Sequence, residues 1–334
     1  MNEVCEPALN AIRGMKPRPH WRRVFAIPEL GIFVPLLALT IFFYWLQPSI
    51  LNGGSIGAML RGMSFVGVVG IGMTMLMVAG EIDLSVGSVA GLCAIVCSWL
   101  MTKAGWPVSL ALIGGIGVGG LVGLVNGWLT VVVGLPAFIT TLGMLYIARG
   151  LNYLICAGYP IYPLPDSVKN FGAADTLGTS WSFVIFLLLV IVVDIGMRWT
   201  TWGRMIYATG GNPEVARLAG ISTTRVKVWC FVITGMLAGL GGILLMSRIA
   251  VGQPEIGTGW ELEVIAAVVI GGVSLFGGVG TVAGTLLGLA IMQVIRAGLV
   301  STNVNTHWQT VAVGVIMILA VGVDLLRRRA KIHA

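Results

Sequence analysis

Charged residues are scarce. Of 334 residues only 10% are Asp, Glu, Lys or Arg, 57% are hydrophobic, and the mean hydropathy is +0.96; a soluble domain carries about 25% charged residues. So apolar a composition excludes an ordinary water-soluble globule, a disordered segment, a coiled coil, collagen or a disulfide-stapled secreted domain. Histidine is nearly absent, with only His20, His307 and His333, and the five cysteines form no CxxC pair. Cys93 and Cys97 share a helix face four residues apart, but no histidine lies near them to complete a ligand set, so no metal or redox site is expected. No Gly-Lys dipeptide occurs, which excludes a GxxxxGK[ST] phosphate loop. Any ATP-driven step therefore needs a separate ATPase subunit. HExxH is missing as well, and no GxSxG comes with Asp and His partners, so neither catalysis nor a cofactor is expected.

What remains is a series of apolar runs, each near the roughly 20 residues that cross a bilayer. Reading between Gly, Pro and polar breaks gives spans at 28–47, 62–79, 84–102, 107–131, 136–156, 181–198, 228–248, 261–277, 280–299 and 307–326. The expectation is an all-α polytopic membrane protein with about ten transmembrane helices. The first run is long enough to span, and no short apolar core with a small-residue cleavage site precedes it, so it reads as a retained anchor.

The net charge of +7 is concentrated in three clusters. Arg13, Lys16, Arg18, Arg22 and Arg23 lie in the segment 1–27; Arg198, Arg204, Arg217, Arg225 and Lys227 lie in the loop 198–227; Arg327, Arg328, Arg329 and Lys331 lie in the tail 327–334. Basic flanks mark the cytoplasmic side. An even number of crossings puts both termini there, and the same parity places 198–227 with them. A single permease domain, 28–326, is thus expected between two basic cytoplasmic ends. Tryptophans such as Trp45, Trp99, Trp106, Trp199 and Trp229 fall near span ends, where amphipathic rings prefer to sit. No basic face interleaved with aromatics exists for a phosphate backbone, so nucleic acid is not a partner.

Glycine is the second signal, with 48 residues. Gly115, Gly119, Gly123 and Gly127 recur every fourth residue and form a flat stripe for close helix packing. A GxGxxG match inside that run has no preceding strand and is no dinucleotide site. VGSVAG at 86–91 is echoed by VGTVAG at 279–284, each after a polar or Gly-rich interruption, a pattern that repeat-built transporters show near the substrate path.

The segment GEIDLSVGS, 80–88, places Glu81 and Asp83 between two spans. A carboxylate at mid-bilayer costs about 2.5 to 3.5 kcal/mol, so this segment belongs at an interface or beside a protein-walled polar cavity. Asp83 or Ser85 can cap the following helix, or Glu81, Asp83, Ser85 and Gly87, with Asn126, can line a substrate path; the two roles are compatible. Asn152 and Gln293 can face the same path or bond a neighbouring helix. Arg149 and Asp194 lie in adjacent spans, but their depths differ by about 10 Å, which argues against a direct pair. Glu261 and Glu263 are expected to be solvated at a span start.

TGGNPEVARLAGIS, 209–222, spells a short helix: Asn212 as N-cap, Pro213 in the first position, Glu214 in the first turn, Arg217 near the end and Gly220 in the left-handed position beyond it. A helix of about seven residues is marginal alone, so it needs something to dock against. Its surroundings are basic and aqueous, which favours a cytoplasmic protein over lipid.

GMTMLMVAGEIDLSVGS (72–88), PAFITTLGMLYIARG (136–150), GRMIYATGGNPEVARLAGIS (203–222) and ELEVIAAVVIGGVSLFGGVGTVAGTLLG (261–288) together resemble the ribose/xylose/arabinose-type permeases of bacterial ABC importers, over roughly residues 60–325. The resemblance implies an inner-membrane permease subunit that pairs as a homo- or heterodimer and receives a monosaccharide or related polyol from a periplasmic binding protein. It also implies coupling to a cytoplasmic ABC ATPase. Carried over by motif are Asp83, Ser85 and Gly87 in the first block and Gly211, Asn212, Glu214, Ala216 and Gly220 in the coupling loop, with Gly210, Pro213 and Arg217 beside them. Glu81 stands where many relatives have a second Gly, and Pro213 replaces a more usual non-proline residue. Branched-chain amino-acid permeases share the superfamily, and a facilitator that needs no ATP accounts for the spans but leaves the capped helix without a purpose.

Overall fold

In hydrocarbon the backbone must satisfy its own polar groups, so apolar runs of this length become helices. A computed structural model describes residues 28–332 except 174, 177 and 178; the basic segment expected at 1–27 lies outside the described residues, as do residues 333 and 334 of the tail. The helices are α1 (Pro28–Leu46), α2 (Gly53–Val78), α3 (Val86–Thr102), α4 (Val108–Gly127, extended by one π-helical turn to Val132) and α5 (Ala137–Cys156). After them come α6 (Asp166–Ala173), α7 (Trp181–Trp199), α8 (Thr201–Gly211), α9 (Pro213–Leu218), α10 (Thr223–Ile249), α11 (Trp260–Ile270), α12 (Val282–Ser301) and α13 (Thr306–Ile332). Two-residue strands, β1 (Asp175–Thr176) and β2 (Thr179–Ser180), pair antiparallel before α7.

Two long helices carry much of the core. Every residue of α2 from Ser64 to Val78 is buried, and α10 packs on α2, α3 and α4. A helix without a polar stripe belongs in the centre of a membrane bundle. Outside them α4, α5 and α7 turn large apolar side chains outward, among them Ile113, Leu121, Ile147, Leu188 and Val192. Such a belt is what lipid requires.

The stripe of glycines has the role its spacing implies. At Gly119 there is no room for a Cβ because the carbonyl oxygen of Gly235 occupies that position, and at Gly123 the carbonyl of Phe231 does so. The α4 and α10 backbones meet there without intervening side chains.

Six helices are long and apolar enough to cross a membrane: α2, α4 with its π turn, α5, α7, α10 and α12. Shorter apolar stretches lie in α1, α3 and α13. The expected span 261–277 is not one helix. Its helix, α11, covers 11 residues and stops at Ile270; Gly272, Gly277, Gly278 and Gly280 then take positive φ before α12 begins at Val282. Glycine adopts that backbone at little steric penalty, and a run of such residues cannot remain helical. The echo loses its register for the same reason: VGSVAG opens α3 at its first residue, whereas in VGTVAG the helix starts only at Val282, capped by the Thr281 side chain.

Replacing Gly123 with valine should destabilise the protein by about 1 to 3 kcal/mol through overpacking, whereas Gly117→Val, which faces open space, should leave the melting temperature of the detergent-solubilised protein unchanged. Equal melting temperatures for the two variants would contradict close α4–α10 contact.

Candidate functional site

The chain leaves α2 by a turn at Gly80, whose φ is +85°, and enters α3 at Val86. Between them the Asp83 carboxylate accepts from the Ser85 backbone N–H at 2.7 Å and from the Ser85 hydroxyl at 2.6 Å. Asn126 on α4 donates to the other Asp83 oxygen at 3.2 Å and to Ser85 Oγ at 3.0 Å. All three side chains are buried. The acceptor at the start of α3 is therefore the Asp83 carboxylate, where the helix dipole favours negative charge, and Asn126 ties that cap to α4.

The other two residues expected beside them lie elsewhere. Glu81 forms an ion pair with Lys227 near the start of α10, Nζ to Oε1 2.6 Å, with about one-sixth of each side chain exposed. Lys227 reads in the sequence as one more basic flank, so no local signal marks the pair. Gly87 faces away from Asp83, against the Gly257 carbonyl and Glu261.

The loop 198–227 folds as its caps dictate. Asn212 Oδ1 accepts from the N–H groups of Glu214 and Val215, both at 3.1 Å, Pro213 takes the first position of α9, and Gly220 closes the helix with φ +83°. The N–H groups of Gly220 and Ile221 return to Arg217 and Ala216, a Schellman-type stop. Helix α9 has six residues, one turn of which faces outward: Leu218 is 90% exposed and Val215 58%, while Ala216 is buried.

Directly behind α9, Gly210 lies against the Val78 carbonyl at the end of α2 with no space for a Cβ. Gly278 donates to that same carbonyl at 2.8 Å, and the Tyr207 hydroxyl donates to the Gly280 carbonyl at 2.7 Å. Residues 78–80, 210–211 and 277–280 thus meet backbone to backbone. This junction lies between α8, which precedes α9, and the segment that carries Glu81 and Asp83, with no side chain intervening.

At mid-depth the structure departs furthest from expectation. After α10 the chain turns back into the bundle: Gly252 bridges to Ile161, and the Ile256 and Gly257 carbonyls lie against Gly91 and Gly87 of α3. Helix α11 therefore starts well inside the protein, with the Trp260 ring packed over Gly241, which is about 12 Å short of the outer end of α10 at 1.5 Å per residue. Glu261 and Glu263 are not solvated, because they enter with this half-helix. Glu263 is 5% exposed and accepts from Arg296 at 2.7 Å; Glu261 Oε1 lies 3.8 Å from Arg149 Nη2. Arg149 does not reach Asp194, which pairs with Arg198 on its own helix at 2.8 Å. Among the described residues no group of three or more His, Cys, Asp or Glu side chains is placed to hold a metal, and Cys93, Cys97, Cys156 and Cys230 are buried free thiols.

Comparison with known proteins finds relatives along nearly the whole chain. The chain is 36% identical over 298 residues to the ribose import permease protein of Bacillus subtilis (strain 168), covering 89% of this chain and 92% of the relative. It is 35% identical over 305 residues to the L-arabinose ABC transporter permease protein of Azospirillum brasilense, covering 91% and 90%. It is 34% identical over 307 residues to the fructose import permease protein of Rhizobium meliloti, covering 90% and 84%. No solved structure matched. The family model described as branched-chain amino acid transport system / permease component matches residues 55–321, which is nearly the whole helical bundle, and the chain belongs to that permease family.

Proposed function

We propose that this chain is the transmembrane permease subunit of an ATP-driven ABC importer and forms the path for a monosaccharide or related polyol. The observation that carries the reading is α9: a short, capped helix that turns Val215 and Leu218 outward and directly follows α8, whose Gly210 rests on the end of α2. A facilitator has no use for such a lever. The relatives at 34–36% identity named above import arabinose, ribose or fructose, which favours a sugar over a branched-chain amino acid.

On this reading the chain crosses a bacterial inner membrane ten times with both ends in the cytoplasm, the inward strap 250–259 and α11 together making the eighth passage. A cytoplasmic ABC ATPase receives α9, a periplasmic sugar-binding protein docks on the opposite face, and a second permease subunit, identical or related, completes the path. The chain hydrolyses no ATP. ATP-driven closure of the partner ATPases pushes α9, and the glycine contact at Gly210 transmits the movement to 80–88. Reconstitution tests this: labelled L-arabinose, D-ribose, D-xylose or D-fructose should accumulate in vesicles only with the ATPase and binding protein present. Accumulation without any ATPase would overturn it.

Leu218→Asp should abolish co-purification of the ATPase while leaving the melting temperature unchanged, since the side chain is almost fully exposed. Gly220→Val imposes a left-handed backbone on a β-branched residue, at about 1 to 2 kcal/mol, and should uncouple ATP hydrolysis from uptake; a bulky residue at Glu214 should do the same. Normal uptake by all three variants would rule out α9 as the coupling element. For the Glu81–Lys227 pair, Glu81→Gln and Lys227→Met should each lower uptake several-fold at matched expression, because each strands the opposite charge. The exchange Glu81→Lys with Lys227→Glu should recover most of it, and no recovery would refute a linking role for the pair.

A further inference from the structure

Four buried polar atoms with no partner within the protein converge where α3, α5 and the start of α11 meet. They are Arg149 Nη2, Asn152 Oδ1, Ser88 Oγ and Glu261 Oε2. Buried polar groups are nearly always paired, so each exception needs a reason, and four together need a common one. Their proximity is fixed by backbone. Asn152 Nδ2 reaches the Ser88 carbonyl at 3.5 Å, Glu261 lies against Gly87, and Arg149 lies one turn from Asn152 on α5, with Nη2 3.8 Å from Glu261 Oε1. At 3.8 Å the two charges attract but do not share a proper hydrogen bond, which leaves donors and acceptors available.

Depth adds to the argument. Arg149 stands seven residues before the end of α5, about 10 Å in from that end, and its side chain is one-third exposed. A guanidinium at that depth whose Nη2 is buried does not face lipid; it marks the face of α5 that lines a polar path. Tyr146 and Tyr153 are exposed on the same helix, and further along α3 and α5 a cavity of about 360 Å³ is lined by Val96, Trp99 and Ile155.

We propose that Arg149, Asn152, Glu261 and Ser88 form a mid-membrane subsite that reads the hydroxyl groups of the carried solute. The chemistry selects the ligand class. The charges of Arg149 and Glu261 cancel, so the site takes a molecule without net charge; it offers two donors, Arg149 Nη2 and Ser88 Oγ, and two acceptors, Asn152 Oδ1 and Glu261 Oε2. Hydroxyls, which donate and accept, satisfy all four, and aromatic rings on α5 suit the C–H face of a sugar ring. A zwitterion would engage the charged pair and leave Ser88 and Asn152 unserved. The reading rests on the sugar-import function proposed above and locates its substrate contact.

The test compares uptake of the transported sugar with uptake of its monodeoxy analogues, by complexes of wild type, Glu261→Gln and Asn152→Ala with the ATPase and binding protein. The binding protein meets the same analogue in every case, so its own preference cancels in the wild-type-to-variant ratio. Glu261→Gln should lower uptake of the parent sugar by about ten-fold, the effect expected for a hydrogen bond to a charged group. For one analogue, the one lacking the hydroxyl that Glu261 accepts from, that ratio should fall close to one. A ratio that stays the same for every analogue in both variants assigns these residues a packing role only and overturns the proposal. Should Glu261→Gln not reach the membrane, the uncharged Asn152→Ala carries the same comparison with the same criterion. If wild type accumulates L-leucine and none of the four sugars, the proposed function fails instead, independently of the variants.

Discussion

A backbone that leaves the helix inside a bilayer must find partners for its amide groups within protein, and three segments of this chain do so against one another or against neighbouring helices. Residues 79–85 begin where Gly278 donates to the Val78 carbonyl. The loop 271–281 closes on itself through Ser274 N–H to the Val279 carbonyl and on α8 through Tyr207. The strap 250–259 is held at its outer end by a reciprocal Ile161–Gly252 bridge and lies deeper along the glycine face of α3. These breaks adjoin the buried helices α2, α3 and α10, which form the centre of the molecule.

The contact among 78–80, 210–211 and 277–280 joins two of those breaks to the base of α9. Side chains there would act as cushions, because rotamers can shift to absorb displacement. Glycines remove that option: Gly210 is in direct contact with the Val78 carbonyl, and Gly277 and Gly278 rest on Gly210 and Gly211. A packed interface of this kind moves as a unit or not at all. The four glycines therefore serve close backbone approach as well as turn geometry.

Much of this was legible in the sequence because it is local. Span hydropathy is a property of a run, and the α9 caps depend on residues within one turn, so Asn212, Pro213 and Gly220 could be placed by type alone. The division of 261–277 was hidden because the run after Glu263 is apolar but for Ser274, and hydropathy does not register the positive φ beyond α11. The pairs Arg149–Glu261, Glu263–Arg296 and Glu81–Lys227 join helices far apart in the chain. No local pattern encodes such partners; they follow from the inward strap, which brings two carboxylates to a depth where each needs a cation.

The acidic residues in and beside the spans divide by the kind of partner they have, and the division suggests which parts move. Glu81, Asp194, Glu261 and Glu263 each face a cation, whereas Asp83 is held by Ser85 and Asn126 alone. Ion pairs between separate helices tolerate small changes of distance, because Coulomb attraction falls slowly with separation. A short hydrogen-bonded carboxylate does not, since its directional bonds weaken steeply when bent. Asp83 thus ties the α3 start to α4 through Asn126, while Glu81, two residues earlier, links the same segment to α10 through Lys227. The change from one partner helix to the other falls within 81–83, next to the glycine junction formed by Gly80, Gly210 and Gly277.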